Sequence, residues 1–261
     1  MGNSVSVIEY KELLNELSNK DTGNRDREGM EKFCVYSEDS SEQSMIFTAI
    51  TPEDIKSLKQ NKPMNLLYLI REAIDILYDN ATTVDIMRGE RTTLVKGCVN
   101  FLIKFLPFIM DNKAYMDKVL WEGEGLAYGV KLCEGILIML FKRGYTISER
   151  SFPDDSTGVN TKGIDQNVLW KWGVSTSGEV WNHQFYMFDS NRIGLLRLLL
   201  VCLSQPLYHT SEEYLTILNP FSWYFTCRRS KNVKNLFVSL LNSIISYDIE
   251  GYRIPYLSSV N

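Results

Sequence analysis

Thr51-Pro-Glu-Asp54 and, just after it, Pro63-Met-Asn-Leu-Leu-Tyr-Leu-Ile-Arg-Glu-Ala-Ile-Asp-Ile-Leu77 are the stretches that decide the fold class. In the second, Leu66, Leu67, Ile70, Ala73, Ile74 and Leu77 recur every three or four residues. That is the period of one helical face, not the alternation of a strand. Pro63 suits a first helical turn, where its missing N–H costs nothing, and the polar residues 80–83 stop the pattern. The first stretch supplies an N-cap in Thr51, proline at the first helical position, and two carboxylates that complement the positive helix end. One helix therefore starts at Pro52 and a second at Pro63.

The same period extends in both directions. Val7, Tyr10, Leu13, Leu14 and Leu17 predict a helix over 5–17, and Leu94, Val95, Cys98, Phe101, Leu102 and Phe105 predict another, which Pro107 ends or kinks. Residues 114–121 read as a short helix. Residues 126–142 are apolar nearly all round, as in a helix enclosed by its neighbours. Three further helices are predicted at 192–204, 211–225 and 231–247. The expected fold class is all-α, a helical bundle or an α-solenoid of the HEAT or armadillo kind, although no fixed-period repeat is present.

Two stretches interrupt the helical pattern. Residues 18–29 are polar and charged and read as a linker, and 37–44 are acidic and serine-rich, so poor order is expected in parts of 18–44. This divides the chain into an N-terminal helix and linker, 1–44, and an α-helical domain, 45–261. Residues 148–190 have no sustained period and read as a long irregular insertion. Within it, 168–174 and 180–188 suggest short strands or a hairpin, and 154–163 a loop open to proteolysis.

Composition narrows the functions. The 261 residues carry 28 Lys and Arg against 32 Asp and Glu, a net charge of −4 that gives no general attraction for nucleic acid. Cys34, Cys98, Cys133, Cys202 and Cys227 are widely spaced and odd in number; they suit neither a disulfide framework nor a zinc site and read as reduced, cytosol-facing thiols. No apolar run approaches the roughly 18–20 residues of a bilayer span, and the N-terminus lacks a signal-peptide core. Neither His183 nor His209 lies three to five residues from another His or Cys in a metal-ligand pattern, and no Gly-x-Ser-x-Gly elbow occurs. The glycines of 123–129 have the wrong spacing for a phosphate loop and fit a helix N-terminus better. No catalytic residue, cofactor or metal is assigned, and an enzyme is not expected.

One short motif carries mechanism. Met1-Gly2-Asn3-Ser4-Val5-Ser6 fits the N-myristoylation pattern, in which loss of Met1 exposes the Gly2 amine. A single myristoyl chain anchors only marginally, with a partition constant of roughly 10⁴ M⁻¹, so a second signal is required. Residues 1–32 hold five basic and seven acidic side chains and do not supply it. Arg228, Arg229, Lys231 and Lys234 form the most cationic run; it reads either as an inter-helix loop capping a helix end or as a weak contact for anionic headgroups. The last helical pattern presents Leu236, Leu240 and Ile244 beside Phe237, Leu241 and Ile245, a stripe with only a short tail after it. Part of that stripe is expected to be exposed and to face a partner.

The order of several residue groups resembles a known family. They run from Ile46-Phe-Thr-Ala-Ile-Thr-Pro52 through Phe105-Leu-Pro107-Phe108, Trp121 and Leu169-Trp170 to Asp189-Ser-Asn191-Arg192. Asn219-Pro220 with Trp223, Phe225 and Cys227, then Leu236 to Asn242, Tyr247-Asp248, Gly251-Tyr252 and Ile254-Pro255-Tyr256, complete the pattern. The chain is similar to the N-terminal part of the high-temperature-induced dauer-formation (Hid) family, with dymeclin a more distant relative. The resemblance implies a helical-repeat fold without catalysis. It further implies a myristoylated peripheral membrane protein on the cytosolic face of the Golgi and trans-Golgi network, serving secretory cargo sorting and vesicle maturation with protein partners of the trafficking machinery. Members of the family are longer, which suggests a fragment of such a protein. Two alternatives stay open: a regulator of a small GTPase using Arg91, Arg228 or Arg229, and a soluble adaptor with a coincidental Gly2.

Overall fold

The computed structural model describes residues 2–19, 26–36, 45–147, 170, 186–210, 212, 219–227 and 233–245. The elements are α1 (Gly2–Asn19), α2 (Arg27–Tyr36), α3 (Met45–Ala49), α4 (Pro52–Asn61), α5 (Pro63–Thr82), α6 (Glu90–Phe105), α7 (Pro107–Met110), α8 (Lys113–Leu120), α9 (Tyr128–Met139), α10 (Tyr186–Leu203), a 3₁₀ turn (Gln205–Tyr208), α11 (Pro220–Thr226) and α12 (Val233–Ile245). No strand occurs among the described residues. The fold is all-α, as the helical period predicts.

The capping chemistry is the one the sequence proposes. Thr51 Oγ1 accepts from the Asp54 N–H at 3.3 Å while the Thr51 N–H donates to Asp54 Oδ2 at 2.9 Å, a complete capping box. Asn112 and Asn219 cap α8 and α11 through their side-chain oxygens alone, which accept from Tyr115 N–H and from Phe221 and Ser222 N–H. Pro107 separates α6 from α7.

α5 lies at the centre, in contact with α1, α2, α4, α6, α8 and α9. Its stripe from Leu66 to Leu77 is buried, and so are Leu69, Ile76, Ala81 and the polar Glu72 and Asn80. α9 packs against α5, α8, α10 and α11, which explains why its sequence is apolar on nearly every side. Glu90–Met110, α6 with α7, is by length and composition apolar enough to cross a bilayer, contrary to the expectation that no stretch is. Its apolarity has a different cause: α2, α3, α5 and α10 pack on α6, and more than half of its most apolar 18-residue window is buried.

The N-terminal helices join this core through an aromatic column. Tyr10 of α1 stacks on Phe33 of α2 at 4.5 Å, Phe33 meets Phe101 of α6 edge-on at 6.0 Å, and Phe101 stacks on Phe105 at 4.1 Å. α2 forms partly where the sequence suggests linker. Asp26 caps it, its Oδ1 accepting from the Gly29 N–H at 3.0 Å, and Met30, Phe33 and Cys34 make a buried face at helical spacing. Ion pairs Arg27–Glu31 and Lys32–Glu28 support the outer side.

Two further boundaries differ from the sequence reading. α10 starts at Tyr186, so residues 186–188, expected at the end of a strand, are helical. The helix predicted over 211–225 is cut at Asn219, whose side-chain amide also donates to the Cys202 and Leu203 carbonyls at the end of α10. The predicted loop at 154–163 and strand at 168–174 lie outside the described residues, apart from Trp170. That residue is buried; its indole Nε1 donates to the Leu140 carbonyl at 3.0 Å, its ring stacks on Phe141, and its N–H donates to Ser239 Oγ of α12 at 3.3 Å.

Asp189-Ser-Asn191-Arg192 closes the turn after α9. Asn191 Nδ2 donates to the Tyr145 carbonyl at 2.7 Å, and Arg192 donates to the Thr146 carbonyl at 2.5 Å and to Asp189 Oδ1 at 3.0 Å. Lys142, in the same turn, is buried and donates to the Ala81 and Thr83 carbonyls at the end of α5. Burial, and secondarily Arg91, lowers its pKa to about 8.

Candidate membrane-contact and partner-contact surfaces

Gly2 begins an 18-residue helix whose seat is fixed further along. Beyond the Tyr10 stack, Leu14 and Leu17 are buried, Glu9 Oε2 accepts from Tyr36 Oη at 2.9 Å, and Lys11 pairs with Asp54 at 3.2 Å. Lys62 and Asn65 of α5's start bind Asn19 and the Ser18 carbonyl. The helix carrying the candidate lipidation site is thus bound to α2, α4 and α5 over its C-terminal half. With a rise of about 1.5 Å per residue, Gly2 lies about 12 Å along the axis from Tyr10.

The C-terminal elements carry the remaining candidates. Arg228, Arg229 and Lys231 lie outside the described residues; Lys234 lies in the first turn of α12 and is exposed. The stripe predicted on α12 is divided. Leu236 is buried at 5% exposure and Leu240 is half-buried, whereas Ile244 is 72% and Phe237 62% exposed. Inward, α12 presents polar groups: Ser239 and Asn242 are fully buried, and Ser239 serves the Trp170 backbone. The exposed apolar side of α12 therefore runs Phe237, Leu241, Ile244, offset from the stripe that sequence alone suggests. α10 and the turn after it also expose apolar side chains, Leu200 at 67% and Leu207 at 81%, which the sequence reading did not single out. For Leu200 the signal was present in the run Leu198-Leu-Leu-Val-Cys-Leu203 of α10, apolar on every side of the helix although its neighbours enclose only part of it.

Arg91 donates to Asn80 Oδ1 at 3.2 Å and faces Asp85 at 3.8 Å. His209 shares a 2.7 Å hydrogen bond with Gln205, and His183 lies outside the described residues. Residues 123–125 form a bend and α9 begins at Tyr128, so this glycine stretch leads into a helix N-terminus. Among the described residues no group of three or more His, Cys, Asp or Glu could hold a metal ion. Cys34 and Cys98, 64 positions apart in sequence, bring their Sγ atoms to 3.5 Å across the α2–α6 contact, both buried. Wide spacing in sequence concealed that pair. Burial raises the thiol pKa values of Cys133 and Cys202.

Comparison with known sequences decides the family. The sequence model described as "High-temperature-induced dauer-formation protein" matches residues 1–261, the whole chain. The chain belongs to the Hid1 family. Protein HID1 of Homo sapiens is 24% identical over 274 residues and that of Mus musculus 23% over 271, each alignment covering 98% of this chain and 34% of the relative. Protein HID1 of Dictyostelium discoideum is 30% identical over 131 residues, 49% of this chain and 14% of the relative. The chain thus spans about a third of the length of the mammalian Hid1 relatives it matches. No solved structure matches it. Segments quoted above for the resemblance now have physical roles: Thr51-Pro52 caps α4, Trp170 closes the α9–α12 junction, Asp189–Arg192 clamps the turn after α9, and Asn219-Pro220 joins α10 to α11.

Proposed function

We propose that this chain is a non-catalytic helical scaffold held on the cytosolic face of Golgi and trans-Golgi network membranes by a myristoyl group on Gly2, where it recruits trafficking proteins for secretory cargo sorting and vesicle maturation. The observation that carries the reading is the family match across residues 1–261, beginning with Met1-Gly2-Asn3-Ser4-Val5-Ser6. The architecture suits such a role. Helices packed around α5 leave apolar side chains on α10, α11 and α12 exposed, and exposed apolar patches mark contact surfaces.

The test combines mass spectrometry of the mature N-terminus with fractionation of cells expressing the chain or its Gly2→Ala variant. The expected result is an acylated Gly2 and a shift of the variant from membrane pellet to cytosol, with unchanged helical circular dichroism, because Tyr10, Leu14 and Leu17, which the substitution leaves in place, seat α1. An unmodified glycine, or a variant that stays on Golgi membranes, would remove the acyl-anchored reading.

A further inference from the structure

We propose that the outer face of α12, Phe237, Leu241 and Ile244 with Lys234 at its start, is a lipid-contact surface that inserts into an anionic membrane interface. The inference rests on the membrane reading above and supplies the second signal that a single myristoyl chain requires.

The geometry of α12 carries it. At 100° per residue, Lys234, Phe237, Leu241 and Ile244 fall within an arc of about 80°. Phe237 and Ile244 are largely exposed, and Leu241 is half-buried between them along the helix. The opposite arc holds Ser239 and Asn242, both fully buried, and Leu236 is buried at its edge, so the inward side mixes polar and apolar side chains while the outer arc is apolar apart from Lys234. The inward polar groups have a structural use, since Ser239 Oγ accepts the Trp170 N–H and Ser243 Oγ donates to the Ser239 carbonyl. Among the described residues the outer apolar arc stays exposed at Phe237 and Ile244.

Charge selects the occupant. Residues 219–247 contain four Lys and Arg and no Asp or Glu, in a chain whose overall net charge is −4. A cationic, acid-free segment leading into an outward apolar arc is the complement of an anionic lipid interface, where ammonium and guanidinium groups meet headgroups and aromatic and aliphatic side chains enter the acyl boundary. An apolar site for another protein helix would not require this one-sided charge.

The experiment uses the full 261-residue chain made without an acyltransferase, so Gly2 is unmodified, and vesicles of phosphatidylcholine alone or with about one-third phosphatidylserine. Flotation is expected to show binding to the anionic vesicles, weakened by salt, with little binding to neutral ones. Phe237→Ser with Ile244→Ser is expected to weaken binding about tenfold or more, since two apolar insertions are lost. Lys234→Glu is expected to weaken it several-fold, and Leu207→Ser, which removes an equally exposed apolar side chain elsewhere, should leave it unchanged. Circular dichroism confirms that each variant is folded. No binding to anionic vesicles, equal loss with Leu207→Ser, or a double variant that loses self-association in sedimentation while still binding vesicles would each overturn the proposal. Because the protein is unacylated, these outcomes are independent of the Gly2→Ala result.

Discussion

Replacing Gly97 by alanine tests whether α2 is seated on α6 as described. A Cβ added at Gly97 would lie 2.0 Å from the Cys34 carbonyl oxygen, 2.6 Å from its carbon and 2.8 Å from its Cα. All three are backbone atoms, so no rotamer change relieves the clash. To restore the 3.4 Å of ordinary contact, α2 must move away by about 1.4 Å, which pulls Phe33 from Phe101 and disturbs Tyr10. Overpacking of this kind typically costs about 1–3 kcal/mol, and each disturbed aromatic pair adds about 0.5–1.5 kcal/mol. Against this stands a gain of about 1 kcal/mol from alanine's helix propensity. The net expectation is a loss of about 2 kcal/mol, or a melting temperature lowered by about 4–8 °C for a domain of this size. Gly194→Ala is the matched control: its Cβ would meet only Val99 Cγ1, at an ordinary 3.7 Å, within α10. That substitution should stabilise by about 0.5–1 kcal/mol. Thermal and urea unfolding followed by circular dichroism measures both. A Gly97→Ala protein as stable as wild type would refute the α2–α6 contact and the N-terminal layer built on it.

Arg71 donates to the Val119, Lys118 and Glu122 carbonyls at the end of α8 and lies over the Tyr128 ring; Arg71→Met should cost about 2 kcal/mol in urea unfolding, and lysine, lacking the fork, should restore less than half. For Lys142, burial holds the folded pKa at about 8, below the value of 10.5 expected in the unfolded chain, so its contribution to stability is full above 10.5 and lost as pH falls through about 8. Wild type should therefore gain stability relative to Lys142→Met as pH rises between those values, and parallel profiles would contradict the burial of its ammonium group. Cys34, Cys98, Cys133 and Cys202 are buried and Cys227 is partly exposed, so a thiol reagent on native protein should modify Cys227 first and the other four only on unfolding. Mapping the labelled peptides checks the order.

The helical class and most of its punctuation were legible in local sequence, because capping and amphipathic periodicity act within a few residues. Thr51 and Asp54 bond each other, Pro107 removes one donor, and the α5 stripe depends only on the 3.6-residue turn. α2 was legible in principle, in Asp26 followed by Met30, Phe33 and Cys34, but its charged outer face resembles a linker when read without its partner. The start of α10 was obscured by aromatic residues that suit strands as well as helices. Among the candidate site residues, Gly2 could be found because its motif is contiguous. The outward face of α12 could not, since Leu236, Leu240 and Ile244 fit a helical stripe equally well whichever arc is buried.

By itself the sequence determined that the chain is all-α, where α4, α5 and α6 begin or end, and which glycine fits a lipidation motif. Tertiary structure decided which arc of each helix is covered. It set Tyr10 on Phe33 and Phe33 on Phe101, brought Cys34 within 3.5 Å of Cys98, and placed Trp170 on Ser239 so that α12 buries polar groups and exposes Phe237 and Ile244. The physical reason is the range of the forces involved. A cap or a helical period is satisfied within about one turn, whereas burial depends on which surfaces distant segments bring together, and no local pattern records that.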